Sequence, residues 1–510
     1  MGPSFPSVFR SALALGTGTG VDVDLAWYPP RNTSVNDLAA ALRGPGVYGF
    51  VFNSSRTPDD EYGVYNWCNM PHVRGREYVR AAEEFELRYV EIIQRHHKRT
   101  PYASNAFPVE PYRWDCDDEG LFFYGAPFGG NGSGRPAPGF WTGFASPVNP
   151  FVPAGWVGTC QFPQLTAGGL DDAFVHGEDL YAVYHDLLGF LPSRHQKQQA
   201  GHGDWRSKVV YRVTQNVITS QVAGMLVGGT WGATGPTPFL VGAAGVDSLE
   251  PQYGCAAGAA LFDQIRSPAD APWQAHLDGA AAVYRALDAI SGVPPADAGF
   301  HASFDHYFDN LSARQCHAKP LPCQPGASTS TAPPLCVDQA LADTVYRLGQ
   351  WEYSRIYRDA PASLAASVAT YGVWIAELAA HLRSAAAAGD GRAATPLYVH
   401  NVAHDGSVSR VLSILQIDTM VWPGMGSEVV FELYRQKQRQ RQRRGRGRRD
   451  PSPSGHYVRV LFGGRVLRSS NPSLGAIDML PVETLLAYFD GLVGRDASLV
   501  VGKCNGTIKT

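Results

Sequence analysis

Apolar positions along the chain fall into short runs separated by turn residues, and the runs change period. Tyr89–Gln94 (YVEIIQ) is a compact apolar run that predicts a buried strand. Lys208–Val213 (KVVYRV), Leu397–Val402 (LYVHNV), Val429–Tyr434 (VVFELY) and Tyr457–Phe462 (YVRVLF) predict four more. Between them the spacing turns helical. Leu180, Val183, Tyr184 and Leu187 share a face ahead of Pro192, and Asn216–Val227 and Ser407–Leu415 each read as a helix following a strand. Gln339–Arg358 and Ser363–Ala387 read as two long helices. The second sets Leu364, Val368, Tyr371, Ile375, Leu378 and Leu382 on one face.

Strands alternating with helices predict an α/β core. We divide the chain into an irregular N-terminal segment (1–80), a discontinuous core (81–224 and 395–510) and a mainly helical insert (225–394). No run approaches eighteen apolar residues, so no membrane span is expected.

Charge adds one feature. The 510 residues hold 43 Lys+Arg and 46 Asp+Glu, but Arg435–Arg449 (RQKQRQRQRRGRGRR) holds nine of the basic residues and no acidic one. Taking those nine away leaves 34 basic residues against 46 acidic, an acidic body with one basic insert. That excludes a globally basic nucleic-acid-coating protein. The run lies between two expected strands, so residues 435–455 are read as a long hairpin loop. A solvated loop is the first reading of it, and a patch for nucleic acid or another polyanion the second.

Eight cysteines are present, none in a CxxC pair, and Asn-x-Ser/Thr sequons occur at Asn32, Asn53, Asn131, Asn310 and Asn505. An even cysteine count with five sequons points to a secreted, glycosylated, disulfide-bonded protein, in the medium or in a vacuole or cell wall. Eight cysteines allow about 105 pairings, so the connectivity stays open. Val8–Leu15 is only faintly apolar and is broken by Arg10, so no signal peptide is evident. Either the natural start lies elsewhere or the protein stays inside the cell, and the cysteine pattern favours the former.

Two polar clusters follow predicted strands: Arg95-His96-His97-Lys98-Arg99-Thr100-Pro101 and His404-Asp405. In an open α/β sheet, ligands bind at the carboxyl ends of the strands, so the two can share one site. Arginines fork hydrogen bonds to phosphate oxygens. A neutral imidazole can attack phosphorus, and a neighbouring carboxyl can protonate the leaving oxygen. Phosphoryl transfer needs positioning and charge stabilisation, which these residue types supply.

RHHKRTP resembles the RHGxRxP signature of the histidine acid phosphatases, the second branch of the histidine phosphatase superfamily. HNVAHDGSVS is similar to that family's His-Asp block, and QLTAGGLDDAFVHGEDLYAVY to a further conserved region. GSEVVFELY and VRVLFGGRVL resemble its last two strands, and the style is that of fungal acid-phosphatase-like members. The resemblance runs from about residue 86 to 467. It implies a three-layer α/β sandwich of the phosphoglycerate-mutase-like kind, with a mixed, mostly parallel sheet and a helical cap. It implies an acid phosphatase acting on a small phosphorylated substrate without a cofactor. His96 becomes the nucleophile, Arg95, Arg99 and His404 the phosphate-binding residues, and Asp405 the proton donor. Two departures stand out. His97 occupies the place of a glycine, and Asn216 falls where an arginine is expected, with Arg212, four residues earlier, as its substitute. A side chain at 97 could narrow or reshape the pocket, and if neither Arg212 nor Asn216 serves, phosphate affinity would be weaker, so a catalytically weak relative that binds phosphorylated ligands is the alternative.

Simpler readings compete. His96 and His97 could be half-buried core histidines, and His176, which matches a family position, is better read as packing. Lys98 is read as a solvated or phosphate-rim charge. His400 and His404 are spaced like metal ligands on a helix, but the segment reads as strand then loop, so no metal site is expected. A general phosphomonoester is favoured over phytate, which would call for a strongly basic pocket.

Overall fold

The computed structural model describes residues 21–47, 65–109, 112–116, 122–123, 139–140, 142–152, 156–194, 205–232, 237–324, 334–388, 396–437 and 455–508. Its strands are β1 (Phe85–Arg95), β2 (Phe122–Phe123), β3 (Gly139–Phe140), β4 (Val209–Val213), β5 (Phe239–Val241), β6 (Tyr398–Ala403), β7 (Glu428–Gln436), β8 (His456–Phe462), β9 (Arg465–Val466) and β10 (Leu480–Pro481). The helices are α1 (Leu38–Arg43), α2 (Ala167–Tyr181), α3 (Val217–Trp231), α4 (Ala256–Ile265), α5 (Ala271–Gly279), α6 (Ala281–Ser291) and α7 (Ala298–His301). They continue with α8 (Asp305–Cys316), α9 (Gln339–Ser354), α10 (Ala362–Ala387), α11 (Asp405–Ile414), α12 (Val482–Val493) and α13 (Val500–Cys504).

One mixed sheet runs β10-β8-β7-β1-β6-β4-β5, with β9 beside β8. β1, β6, β4 and β5 are mutually parallel, β7 is antiparallel to β1, and β8 reverses again to run with β1. Most strands therefore point one way, in an α/β sandwich. β1 is central, with Arg95 opposite Ala403 of β6 and Gln94 opposite Glu428 of β7. Its last seven residues are all buried, as a strand covered on both faces requires.

Two apolar layers flank the sheet. On one face, Ile92, Val90 and Val213 pack with Leu180, Val222 and Leu226 of α2 and α3. On the other, Ile93, Val399 and Phe431 pack with Tyr371, Ile375 and Leu378 of α10 and Leu485 and Phe489 of α12. Helix α10 lies within 225–394, the expected helical insert, yet it is a layer of the sandwich. It is apolar nearly all round because the sheet covers one side and α4, α11 and α12 the others. Among the described residues it is also the one helix long and apolar enough to cross a membrane, and most of it is buried within this packing.

A third core joins the remaining helices. Trp273, Tyr284, Phe300, Phe308, Val345 and Trp351 from α5–α9 pack with Ala41 of α1, with Trp67 and Met70, and with Trp422 and Met425. This helical unit therefore meets the chain just before β1 and just before β7. Part of the expected irregular N-terminal segment is one of its walls.

All eight cysteines pair, as Cys68–Cys316, Cys116–Cys160, Cys255–Cys504 and Cys323–Cys336. The first ties the segment before β1 to the end of α8, and the third ties α4 to α13. The sequon asparagines divide. Asn32 and Asn505 are exposed, whereas Asn310 is fully buried in α8 and bonded to Asn105 and Arg314. Asn310 is thus closed to glycosylation in the folded chain, and Asn53 and Asn131 lie outside the described residues. So do Val8–Leu15 and residues 438–454 of the basic insert. β7 and β8 do pair up to Arg435 opposite His456, the two ends from which the insert departs.

Candidate active site

β1 and β6 are adjacent and parallel, so the residues just past their carboxyl ends are neighbours. His96 N–H donates to the Ala403 carbonyl (3.0 Å), and the His96 carbonyl accepts from Gly426 N–H (3.0 Å). The backbone of His96 is thus held between the ends of β6 and the loop into β7. Its imidazole Nδ1–H donates to the His97 carbonyl at 3.0 Å, which fixes the tautomer and leaves the Nε2 lone pair available. Burial, and then the charges of Arg99, Arg95 and His404, push its pKa well below the ordinary histidine value. The ring is therefore neutral.

Two guanidinium groups flank it. Arg95 lies under the Trp67 ring at 4.6 Å, donates from Nη1 to the Pro423 carbonyl (2.6 Å) and pairs through Nη2 with Asp405 (3.0 Å). Arg99 lies over Tyr102 at 4.2 Å and donates from Nη1 to the Thr100 carbonyl (2.8 Å) and to Asp309 of α8 (3.0 Å). Both are almost fully buried, and the Nε–H of each has no hydrogen-bond partner among the described residues. Buried donors without acceptors are uncommon and costly, so two beside one imidazole mark a place for an anion.

His404 and Asp405 sit where α11 begins. His404 is hydrogen-bonded through Nε2 to Thr214 (3.0 Å), and its ring meets His96 edge-on at 5.5 Å. Burial lowers its pKa to about 4. Asp405 accepts from Trp422 Nε1–H (2.8 Å) and from Gly406 N–H (2.8 Å), besides Arg95. Burial alone would raise its pKa, but Arg95, Trp422 and Arg99 hold it below the usual carboxylate value. The helix dipole acts in the same direction.

Five of the six expected site residues thus converge: Arg95, His96, Arg99, His404 and Asp405. Arg212 does not join them. It lies in β4, where its side chain turns to the α10 face and pairs with Asp247 (2.9 Å) and Glu377 (2.7 Å). The substitution of Arg212 for position 216 presupposed a helical turn between them. β4 instead ends at Val213 and α3 begins at Val217, with Asn216 as its N-cap. Lys98 is not a rim charge either: it is buried and paired with Asp172 of α2 at 2.9 Å.

His97 turns away from the cluster into a buried polar network beneath it. There Gln94 and His176 lie within 3.0–3.2 Å of its Nε2, and His176 bonds Glu428 (3.1 Å) and stacks on His72 (3.9 Å). The ring fills space over Gly426, where an added Cβ would come within 2.4 Å of it. Gly426 also has φ +73°, which suits glycine. His400 is enclosed by Tyr398 and Gln94. Among the described residues, no group of three or more His, Cys, Asp or Glu side chains could hold a metal ion.

Several groups at the site were not foreseen. Asp309 accepts from Arg99, Tyr102 N–H and Asn105 Nδ2, and Asp305 lies one helical turn earlier. The carboxyl spacing in FDHYFDN was a usable signal only once α8 was known to face Arg99.

No family model matches the chain, and no curated protein matches it. Solved structures do. The apo phytase of Hafnia alvei aligns with a TM-score of 0.50 at 11% identity, covering 82% of this chain and 99% of that one. The Klebsiella sp ASR1 phytase gives a TM-score of 0.47 at 16% identity over 82% and 96%. The multiple inositol polyphosphate phosphatase of Bifidobacterium longum, in complex with inositol hexasulfate, gives 0.40 at 11% over 79% and 92%. At these identities the likeness is one of fold, and the Hafnia structure carries it.

Proposed function

We propose that the protein is a phosphomonoesterase that passes the phosphoryl group through His96. The observation that carries the proposal is the setting of that imidazole. It is neutral, its Nδ1–H is fixed, and beside it are two buried arginines whose Nε–H groups lack acceptors among the described residues. In this reading Nε2 attacks phosphorus while Arg95, Arg99 and His404 hold the phosphoryl oxygens. Charge that builds up on those oxygens in the transition state meets donors already in place. Asp405 sets the position of Arg95. The fold shared with the Hafnia phytase supports the assignment. The four disulfides support an oxidising compartment, with glycans on Asn32 and Asn505.

Release of phosphate from p-nitrophenyl phosphate by the full chain tests the proposal. His96→Ala should abolish it, and a phosphoenzyme trapped by alkaline quench should carry alkali-stable, acid-labile phosphate on His96. Turnover by His96→Ala at the wild-type rate would remove the assignment. A weakly catalytic, phosphate-binding role is the second reading. It is favoured by the carboxylate already paired with each arginine. Tight phosphate binding without turnover on any ester would support it. Polyanion binding through the basic insert is a separate activity, read by salt-dependent retention on heparin before and after deletion of 438–449.

A further inference from the structure

The three groups assigned to the phosphoryl oxygens each face a carboxylate. Arg95 faces Asp405, Arg99 faces Asp309, and His404 faces Glu250, whose Oε1 lies 3.6 Å from its Nε2. The first two are ion pairs of buried arginines. The third differs in kind. At 3.6 Å it is a contact, not a hydrogen bond. Burial lowers the His404 pKa to about 4, so the two groups form no ion pair near neutral pH. Glu250 lies in the loop between β5 and α4, and a third of its side chain is exposed.

Thr214, in the turn after β4, links the two. Its hydroxyl lies 3.0 Å from His404 Nε2 and also hydrogen-bonds the Glu250 carboxyl. A hydroxyl has one proton to give. Spent on the carboxylate, it makes His404 Nε2–H the donor to Thr214. A phosphoryl oxygen that takes this N–H in place of Thr214 becomes a neighbour of the carboxylate. The same turn holds Asn216, which reaches the Tyr102 hydroxyl at 3.4 Å and brings no positive charge to offset Glu250.

We propose that Glu250 selects the protonated, singly charged phosphate group, its carboxyl and a phosphoryl oxygen on His404 sharing one proton. The inference rests on the reading of His404 as a phosphate-binding residue and deepens it. Two acidic oxygens with one proton between them attract, and with none they repel. The proton arrives on the ester as ROPO3H− or on the carboxyl, and the complex is the same either way. Phosphomonoesters lose that proton near about pH 6, so the substrate class is a monoester in its acid-range, monoanionic form. The charged groups around Glu250 leave it to this role. Asp247 stands on its own loop, His404 at the start of α11 is neutral, and Arg212 of β4 is engaged by Asp247 and Glu377. Burial, and then Asp247, raise the Glu250 pKa above the ordinary carboxyl value, against the hydrogen bond from Thr214.

Calorimetric titration of the full chain with inorganic phosphate tests the proposal, because binding needs no turnover. At about pH 8.5 the free carboxyl and the free phosphate have both shed the proton in question. Wild type should then take up about one proton per phosphate bound, read by repeating the titration in two buffers of different ionisation enthalpy. Glu250→Gln, whose amide can donate without gaining a proton, should take up about none. The ratio of wild-type to variant Kd should accordingly rise at least about tenfold between about pH 6 and about pH 8.5. Equal proton uptake by the two proteins, or a ratio that does not change with pH, overturns the proposal. A merely structural role for Glu250 would give that constant ratio. Should Glu250→Gln fail to fold, Glu250→Ala is read by the same two quantities. Wild type that binds phosphate with proton uptake but hydrolyses no ester overturns the phosphomonoesterase reading and leaves Glu250 its role. Wild type that forms phosphohistidine, with Glu250 variants matching it in proton uptake, overturns only the role of Glu250.

Discussion

Arg99 reaches any bound phosphate past a competitor, and Asp309→Asn measures that competition. Asp309 accepts four hydrogen bonds, two from Arg99 and one each from Tyr102 and Asn105, and both members of the ion pair are about 95% buried. Removing its charge leaves a buried guanidinium without its partner, which costs roughly 3–5 kcal/mol in comparable cases. The melting temperature of the ligand-free variant should fall accordingly. Phosphate then supplies the missing charge. At roughly 6 Å and an effective dielectric constant of about 20, one carboxylate charge opposes one phosphate charge by about 3 kcal/mol. Half of that is already worth tenfold in affinity. Phosphate should therefore bind Asp309→Asn at least about tenfold tighter than wild type. It should also restore most of the lost melting temperature, as binding to the folded state alone requires. Thermal melts across a phosphate titration read both quantities. A variant that melts lower and binds phosphate no more tightly would refute the idea that Asp309 and phosphate compete for Arg99.

Further outcomes follow from the same geometry. His400 donates from Nε2 to Gln94 and accepts at Nδ1 from Tyr398, so a second proton has no place, and burial lowers its pKa to about 3. The unfolded chain takes up that proton below about pH 6.5. His400 therefore costs stability progressively as pH falls from 6.5 towards 3. The melting difference between wild type and His400→Gln should shift in favour of the variant across that window, and a pH-independent difference would exclude the mechanism. Replacing Cys68 and Cys316 by alanine opens a link spanning 248 residues, which should cost about 4–5 kcal/mol and loosen α8 from Trp67 and Arg95. Both thermal melts and the phosphate Ki should register it. Deleting 438–449 should leave kcat and KM on p-nitrophenyl phosphate unchanged, because the deleted residues lie beyond the last β7–β8 pair, Arg435 opposite His456, and His96 sits at the other end of the sheet strands.

The site was legible in the sequence wherever its chemistry is local. The Arg95–Pro101 and His404-Asp405 clusters sit at strand ends, and adjacent parallel strands bring such ends together without further information. It was not legible where a side chain is spent on a distant partner. Lys98 was open to a rim role until Asp172 of α2 proved to neutralise it. Arg212 was assigned on a helical spacing that the β4–α3 turn removes. Asp309 reaches Arg99 across some two hundred residues, and no local pattern announces such a contact. The fold shows the same division. The periodicity of α10 located its buried face, but periodicity does not say whether a helix covers a sheet or a site.

His97 and Gly426 carry a consequence for how this sequence can change. One ring occupies the space that a side chain at the other position would need. The two positions are therefore epistatic. Glycine at 97 alone would open a hole beside His176 and leave Gln94 short of a partner, while any larger residue at 426 alone would collide with imidazole. A mutational path that restores a glycine after the nucleophile must fill 426 or repack Gln94 and His176 along the way. Scoring His97 alone as a lesion in a motif misjudges it, because the unit under selection is the pair.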